Sequence, residues 1–267
     1  MKKLNPSIFS TTNYSYRDEK YFFFEMEKTT YNENWLNGLK STLKKNAWLY
    51  QLLIDIFSPV LLFYTNRQIK KFLKDNLKAG GNSIALNIGS GNSFISKEVQ
   101  NIDIFPYDNV DIVCDIEQLP FKDNSVDLIL NIAVLEHVPN PEKVVKEIHR
   151  VLKKKGKVFS LFPFIQGFHA SPHDYSRRTI NGMKVLYDDF NILSVKSSGG
   201  PTSGFLWIAQ EWVALLLSFG IKPLYKVLHL ILMLLTFPIK FLDLLLVFHP
   251  MASNISTSFT MIAEKKD

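Results

Sequence analysis

Cysteine is almost missing from this chain of 267 residues: Cys114 stands alone. A single thiol excludes an internal disulfide and a zinc site built from cysteines, and it suits a reducing compartment. Internal repeats and low-complexity tracts are absent as well, so a repeat architecture is excluded. The opening MKKLNPSIFSTTNYSYRDEK has two lysines with no apolar stretch behind them, and no secretory signal is expected there. Also missing is an uncharged run long enough to span a bilayer once. VLHLILMLLTFPI has thirteen residues, about 20 Å of helix against a hydrocarbon core of roughly 30 Å. The run already contains Pro238, and extending it to Phe248 takes in Lys240 and Asp243. The last absence is a glycine. SIALNIGSGNSF, residues 83–94, has Gly89 and Gly91 but Phe94 where a dinucleotide fingerprint places its third glycine. That glycine serves close helix packing beside a pyrophosphate, so its absence argues against a nicotinamide dinucleotide.

What is present is an apolar content of 46%, enough for a full α/β core in one compact domain with additions. The net charge of +6 comes from 31 basic against 25 acidic residues. Many of the lysines flank apolar runs, which suits an anionic membrane surface, and no nucleic-acid partner is expected. Residues 1 to about 40 show no clear period. Residues 47–64 form an apolar helical segment that Pro59 should break, with Lys44, Lys45, Arg67, Lys70, Lys71 and Lys74 around it. We take 1–80 as an N-terminal extension and 81–267 as the main domain.

Within the main domain, short apolar runs alternate with helical pattern. SIALNIG, NIDIF, VDIVCD, SVDLILNIAV, KVFSLFPF and NILSVKSS read as strands, and STSFTMIAEKK as a last one. PEKVVKEIHRVLKKKG reads as a helix from Pro141 to its terminal glycine, with Val144, Val145, Ile148, Val151 and Leu152 on one face. TINGMKVLYDDF reads as a shorter helix. The alternation argues a parallel, doubly wound sheet whose ligand lies at the carboxyl ends of the strands. Asn87, Gly89, Gly91, Asp103, Asp115 and Asn131 all fall at such ends. Glycines admit a ligand close to the backbone, and a carboxylate at the second strand's end can accept both hydroxyls of a ribose. The competing reading is that the glycines make a tight turn and the acids cap turns.

LNIGSGN, NIDIF, CDIEQLPFKDNSVDLIL, LEHVPNPEKVVKEIHRVLKKKGKVF and HDYSRRT, in that order, resemble the S-adenosylmethionine-dependent methyltransferases of the Rossmann-like superfamily. The similarity runs from about Ser83 to Val195 and points to the small-molecule group with a D-x-E-x-L-P-F segment. It implies an α/β Rossmann-like sheet, parallel with a reversed last strand, and S-adenosyl-L-methionine as cofactor. It implies Gly89, Ser90 and Gly91 at the methionine end, Asp103 on the ribose, Asp115 and Ile116 on the adenine, and Asn131 and Leu135 beside the sulfonium. Asn87 belongs to the same set but stands where the family usually has an acid, which removes a charge that helps hold the cofactor's amino group. Only eleven residues separate Gly91 from Asp103, too few for a three-turn helix plus a strand. The usual first helix must be nearly absent.

Methyl transfer from a sulfonium is a direct displacement, so the protein must align the acceptor, exclude water and, for a hydroxyl acceptor, take a proton. The segment PFIQGFHASPHDYSRRT would supply acceptor contacts: His169, His173 and Asp174 as base and orienting carboxylate, Tyr175 and Arg177 as ligands for a polar or anionic group. Alternatively His173, Asp174 and Arg177 form a structural corner. Glu136 and His137 read as a cap and a packed imidazole, Cys114 as strand packing, and no metal site is expected. The apolar block 205–249 interrupts the domain before its last strand. It reads as interfacial helices, with Trp207 and Trp212 at headgroup level and Lys222, Lys226 and Lys240 towards anionic lipid; an apolar lid or dimer surface is the competing reading. The 47–64 segment would dock beside it. The expectation is a methyltransferase for a small-molecule, glycan or lipid-linked acceptor, cytoplasmic and peripheral on the inner face of a membrane. The alternative is a non-catalytic protein that keeps the fold for membrane or partner binding.

Overall fold

A computed structural model describes residues 4–24, 58, 60–77, 83–170 and 172–266. Most of the 47–64 segment, Pro59 included, lies outside the described residues. The helix that follows it, α1 (Phe63–Asn76), turns Thr65, Ile69, Phe72 and Leu73 inward.

Among the described residues nine strands form one sheet: β1 (Ser15–Arg17), β2 (Lys20–Phe22), β3 (Ala85–Ile88), β4 (Val99–Asp103), β5 (Ile112–Val113), β6 (Val126–Ile132), β7 (Leu152–Pro163), β8 (Phe190–Gly199) and β9 (Ser258–Lys265). Their order is β1-β2-β5-β4-β3-β6-β7-β9-β8. Strands β5, β4, β3, β6 and β7 are mutually parallel, and β9 runs antiparallel between β7 and β8. This is the expected doubly wound sheet with a reversed last strand. The strand order switches sides at β3, with β4 and β5 following on one side and β6 and β7 on the other, which opens a crevice at the carboxyl ends of these parallel strands.

One addition was not foreseen. Residues 15–22 form a hairpin, and β2 pairs in parallel with β5, so the N-terminal region extends the sheet itself. Asp18 and Glu19 make its turn with φ of 50° and 58°, the left-handed pair of a tight two-residue hairpin.

The two faces of the sheet are covered by different means. On one, Ile69, Phe72 and Leu73 of α1 pack on Ala85, Val99, Leu128, Leu130 and Phe159. On the other lie α2 (Pro141–Val151), through Val144, Val145, Ile148 and Val151, and α3 (Ile180–Leu186), through Met183 and Leu186. Pro141 opens α2 where its missing N–H costs nothing. The helix ends at Val151, earlier than its glycine suggested, and Leu152 already belongs to β7. A register shift between Val126 and Leu128 and the positive φ of Lys155 absorb the irregularity. No helix stands between β3 and β4, as the short spacing requires.

The apolar block folds as α4 (Pro201–Ser218), a turn at Phe219–Ile221, α5 (Lys222–Thr236), a 3-10 stretch over Phe237–Leu242 and α6 (Asp243–Leu246). Asp243 accepts N–H bonds from Thr202 (2.8 Å) and Ser203 (2.7 Å) and the Ser203 hydroxyl (2.6 Å). The far end of the block is therefore fastened to its beginning, making a helical hairpin. Gln210 reaches Thr236 at 2.6 Å, and Glu211 bonds Tyr225 across the pair. By length and composition Lys222–Leu246 could cross a membrane. Two expectations for this block change. Lys240 is buried and donates to the Ser58 carbonyl at 2.7 Å, and Trp207 turns inward while Trp212 is exposed.

Candidate active site

The strand-end glycines sit in the backbone conformation that glycine tolerates best. Gly89 has φ +64° and Gly91 φ +54°. A Cβ on Gly89 would lie 2.3 Å from a Val134 methyl, whereas one on Gly91 would meet nothing within 4 Å. The turn is tied to the end of β4: the Gly91 N–H donates to Asp103 Oδ2 at 2.7 Å and the Phe105 N–H to Oδ1 at 3.0 Å. Burial raises the Asp103 carboxyl above its ordinary value, and these amides work against the rise. Two bonds leave the carboxylate further lone-pair directions. Asn87 is buried and donates to Asn101 Oδ1 at 3.1 Å. The amide pair thus occupies a place where an acid would have brought an uncompensated charge.

Next along the rim, Asp115 caps its own turn by accepting the Glu117 N–H at 2.8 Å. The segment carrying it is fixed from below. Arg150 donates to the Phe121 and Leu119 carbonyls, each at 2.8 Å, and Glu147 accepts the Leu119 N–H at 2.9 Å. Helix α2 thereby sets the height of Asp115 and Ile116.

Asn87, Gly89, Ser90, Gly91, Asp103, Asp115 and Ile116 all line one cavity of about 1220 Å³. Two expected members do not. Asn131 is fully buried, its Nδ2 3.5 Å from the Tyr187 hydroxyl, because alternate residues of β6 face opposite sides of the sheet. Leu135 packs in the core. Ile132, Ala133 and Val134 line the wall in their place. Beyond the rim the cavity continues past Val60, Leu62 and Ile69 to Trp207 of α4.

The loop after β7 is arranged differently from a base with its carboxylate. Arg177 forks onto Asp174, with Nη2 2.7 Å from Oδ2, and also donates to the Gly167 carbonyl at 3.0 Å. Its guanidinium holds the Asp174 carboxyl well below the usual carboxylate range. Asp174 accepts the His169 N–H at 2.9 Å, while His173 is exposed and stands beside Tyr175. None of His169, His173, Asp174, Tyr175 and Arg177 lines the cavity; Gln166 and Pro172 do.

His137 also lines it, a residue the sequence reading assigned to packing. Its Nδ1 lies 2.5 Å from the His173 carbonyl, so the loop supports it from behind. Its neighbour Glu136 is 1% exposed, neither carboxylate oxygen has a hydrogen-bond partner, and burial pushes the carboxyl up to about 7. The only sequence signal for this arrangement was the juxtaposition of an acid and an imidazole in LEHV.

The family model described as "Methyltransferase domain" matches residues 74–160. An uncharacterised protein of Methanocaldococcus jannaschii is 39% identical over 90 residues, covering 29% of this chain and 39% of that protein. The ubiquinone/menaquinone biosynthesis C-methyltransferase UbiE of Rickettsia typhi is 36% identical over 92 residues, covering 33% and 37%. The chain thus spans less than two fifths of the length of these two relatives. Among solved structures, a protein described as a sarcosine dimethylglycine methyltransferase from Galdieria sulphuraria aligns over 76% of this chain and 85% of its own, at 17% identity and a TM-score of 0.48. The matched stretch contains β3 to β6, α2 and the rim residues just described, and over residues 74–160 the chain is similar to that methyltransferase domain.

Proposed function

We propose that the protein transfers the methyl group of S-adenosylmethionine to a lipid-linked, quinone-like small molecule at an anionic membrane surface. The observation that carries this reading is the continuity of one cavity from the nucleotide rim to apolar walls supplied by Val60, Leu62 and Ile69 and by Trp207 of α4. Its volume exceeds the roughly 300–1,000 Å³ of an ordinary ligand pocket, leaving room for a second molecule beside the cofactor. The name of the Rickettsia relative, which refers to quinone biosynthesis, accords with an apolar acceptor.

In this reading Gly89, Ser90 and Gly91 let the methionine end approach the backbone, and Asp103 accepts the ribose hydroxyls. Ile132, Val134 and Leu161 keep water from the sulfonium. His173, Asp174 and Arg177 act as positioning residues that hold the loop and His137 in place. The hairpin leaves Leu215, Leu216, Phe219 and Ile221 exposed at its tip, beside Lys222 and Lys226. Apolar side chains flanked by lysines suit a headgroup layer, which would place the protein on the cytoplasmic face.

Calorimetric titration with S-adenosylmethionine, its demethylated product and a nicotinamide dinucleotide tests the core of the reading. Both sulfur compounds should bind and the dinucleotide should not. Asp103→Asn should weaken binding by about 10- to 100-fold, the loss of a charged hydrogen bond of about 1.5–3 kcal/mol. A folded protein that binds neither sulfur compound overturns the proposal.

A further inference from the structure

The cavity wall holds an arrangement that methyl transfer does not require. The ligand atoms of Glu136, His137 and His169 lie within 4.8 Å of one another. His137 Nε2 is 3.7 Å and His169 Nε2 4.0 Å from Glu136 Oε1. At those separations neither imidazole hydrogen-bonds the carboxylate, and neither oxygen of this buried acid has a hydrogen-bond partner. A buried carboxyl left unsatisfied is costly, and native structures seldom keep one without a use.

Both imidazoles are oriented from behind. The His173 carbonyl beside His137 Nδ1 can only accept, so in the neutral ring Nδ1 carries the proton and Nε2 turns its lone pair to Glu136. His169 Nδ1 has the Gly167 carbonyl, which accepts, at 3.0 Å and Arg177 Nη2, which donates, at 3.1 Å, so its surroundings accommodate either tautomer, including the one with a free Nε2 lone pair. The Arg177 charge is offset by its fork onto Asp174. Two nitrogens and a carboxylate oxygen gather within 4.8 Å of one another, and the far nitrogen of His137 faces a backbone carbonyl, the outer arrangement typical of metal-binding histidines.

We propose that Glu136, His137 and His169 form a binding site for one divalent transition-metal cation. The donor set of two imidazoles and one carboxylate suits zinc, iron(II) or cobalt(II) rather than the all-oxygen preference of calcium. Ligands about 2.0–2.1 Å from a tetrahedral ion sit roughly 3.4 Å apart, so closing on an ion draws the two imidazoles in from separations of 3.7 and 4.0 Å to the carboxylate. Three protein ligands leave a position open. Because His137 lines the cavity, that position faces the space beside the cofactor rim. If the methyl-transfer reading holds, on which this last step alone rests, the ion would grip an oxygen of the acceptor and ease the loss of its proton.

The test is a titration of chelator-treated, tag-free protein with Co²⁺ alone, followed by its visible absorption, without S-adenosylmethionine. One equivalent should bind and be displaced by Zn²⁺. Glu136→Gln, His137→Ala and His169→Ala should each weaken binding at least tenfold. His229→Ala, which removes an imidazole near Glu211 on the hairpin, should leave it unchanged. Glu136→Gln keeps the shape and removes a buried carboxyl that no hydrogen bond satisfies, so it should melt no lower than the parent in chelator. A titration without a cobalt spectrum, or a spectrum that survives both Glu136→Gln and His169→Ala, overturns the site. Calorimetry with S-adenosylmethionine in chelator is read separately, so failure of the metal site and failure of the methyltransferase reading are distinct results.

Discussion

Gly89 and Gly91 share a left-handed backbone and differ in what surrounds them. Alanine at either position must adopt a conformation that costs about 1–2 kcal/mol for an L-residue. At Gly89 it must also displace Val134, 2.3 Å from the added carbon, an overpacking cost of roughly 1–3 kcal/mol more. Urea denaturation should therefore find Gly89→Ala clearly less stable than Gly91→Ala; equal losses would show that Val134 yields freely. The glycines and the acids at the strand ends were legible as single residues because turn chemistry and strand ends leave local marks. Asn131 was misplaced because a strand end in sequence does not say which face the last side chain takes. Trp207 and Lys240 were misread for a related reason: an amphipathic side chain fits a lipid headgroup and a protein interior equally well, and only the path of the hairpin decides.

At the level of elements, the N-terminus of α4 depends on one side chain 40 residues further on. Asp243 is buried, accepts from Thr202 and Ser203, and sits where a Cβ on Gly200 would clash. It is an N-terminal cap supplied from a distance, with its negative charge at the positive end of the helix. Asp243→Ala should cost at least about 1.5–3 kcal/mol and loosen the hairpin. Hydrogen exchange should show faster exchange at Thr202 and Ser203 while the β3–β4 amides keep their protection. Uniform loss across the sheet would mean that the hairpin and sheet open as one unit. Helices with periodic apolar faces, such as α2, were readable from sequence apart from their last turn. The β1–β2 hairpin was not, because its strands are three residues each and its turn is Asp-Glu rather than Asn-Gly. Its strongest tie is the parallel pairing of β2 with β5, a long-range contact with no local signature.

For the whole molecule, the exposed apolar tip of the hairpin and its lysines predict a salt-sensitive affinity for anionic lipid. Flotation with vesicles containing phosphatidylserine should recover the protein, and neutral vesicles should recover much less. Replacing Lys222 and Lys226 by glutamine should weaken partition by about 2 kcal/mol, and Phe219→Glu should reduce it further. Recovery in the soluble fraction at low salt with every vesicle would remove the membrane reading and leave the apolar surface for another occupant. The parallel sheet and the strand-end rim were visible from the alternation of strands and helices, and the reversed last strand through the family resemblance. The joining of rim, α1 and hairpin into one cavity was not, since three distant segments meet there and no local pattern records it.

The place of β9 bears on how the molecule is made. It runs between β7 and β8 and bonds both, while among the described residues β8 has no other strand neighbour. A ribosome therefore delivers β8, and then the whole apolar hairpin, before the strand that joins β8 to the rest of the sheet has been synthesised. Until residues 258–265 emerge, the nascent chain carries an open edge along β7 next to a block of exposed leucine and phenylalanine, the two features that most invite association with other chains. Chaperones or a nearby bilayer would be needed at that stage of translation more than at any later one.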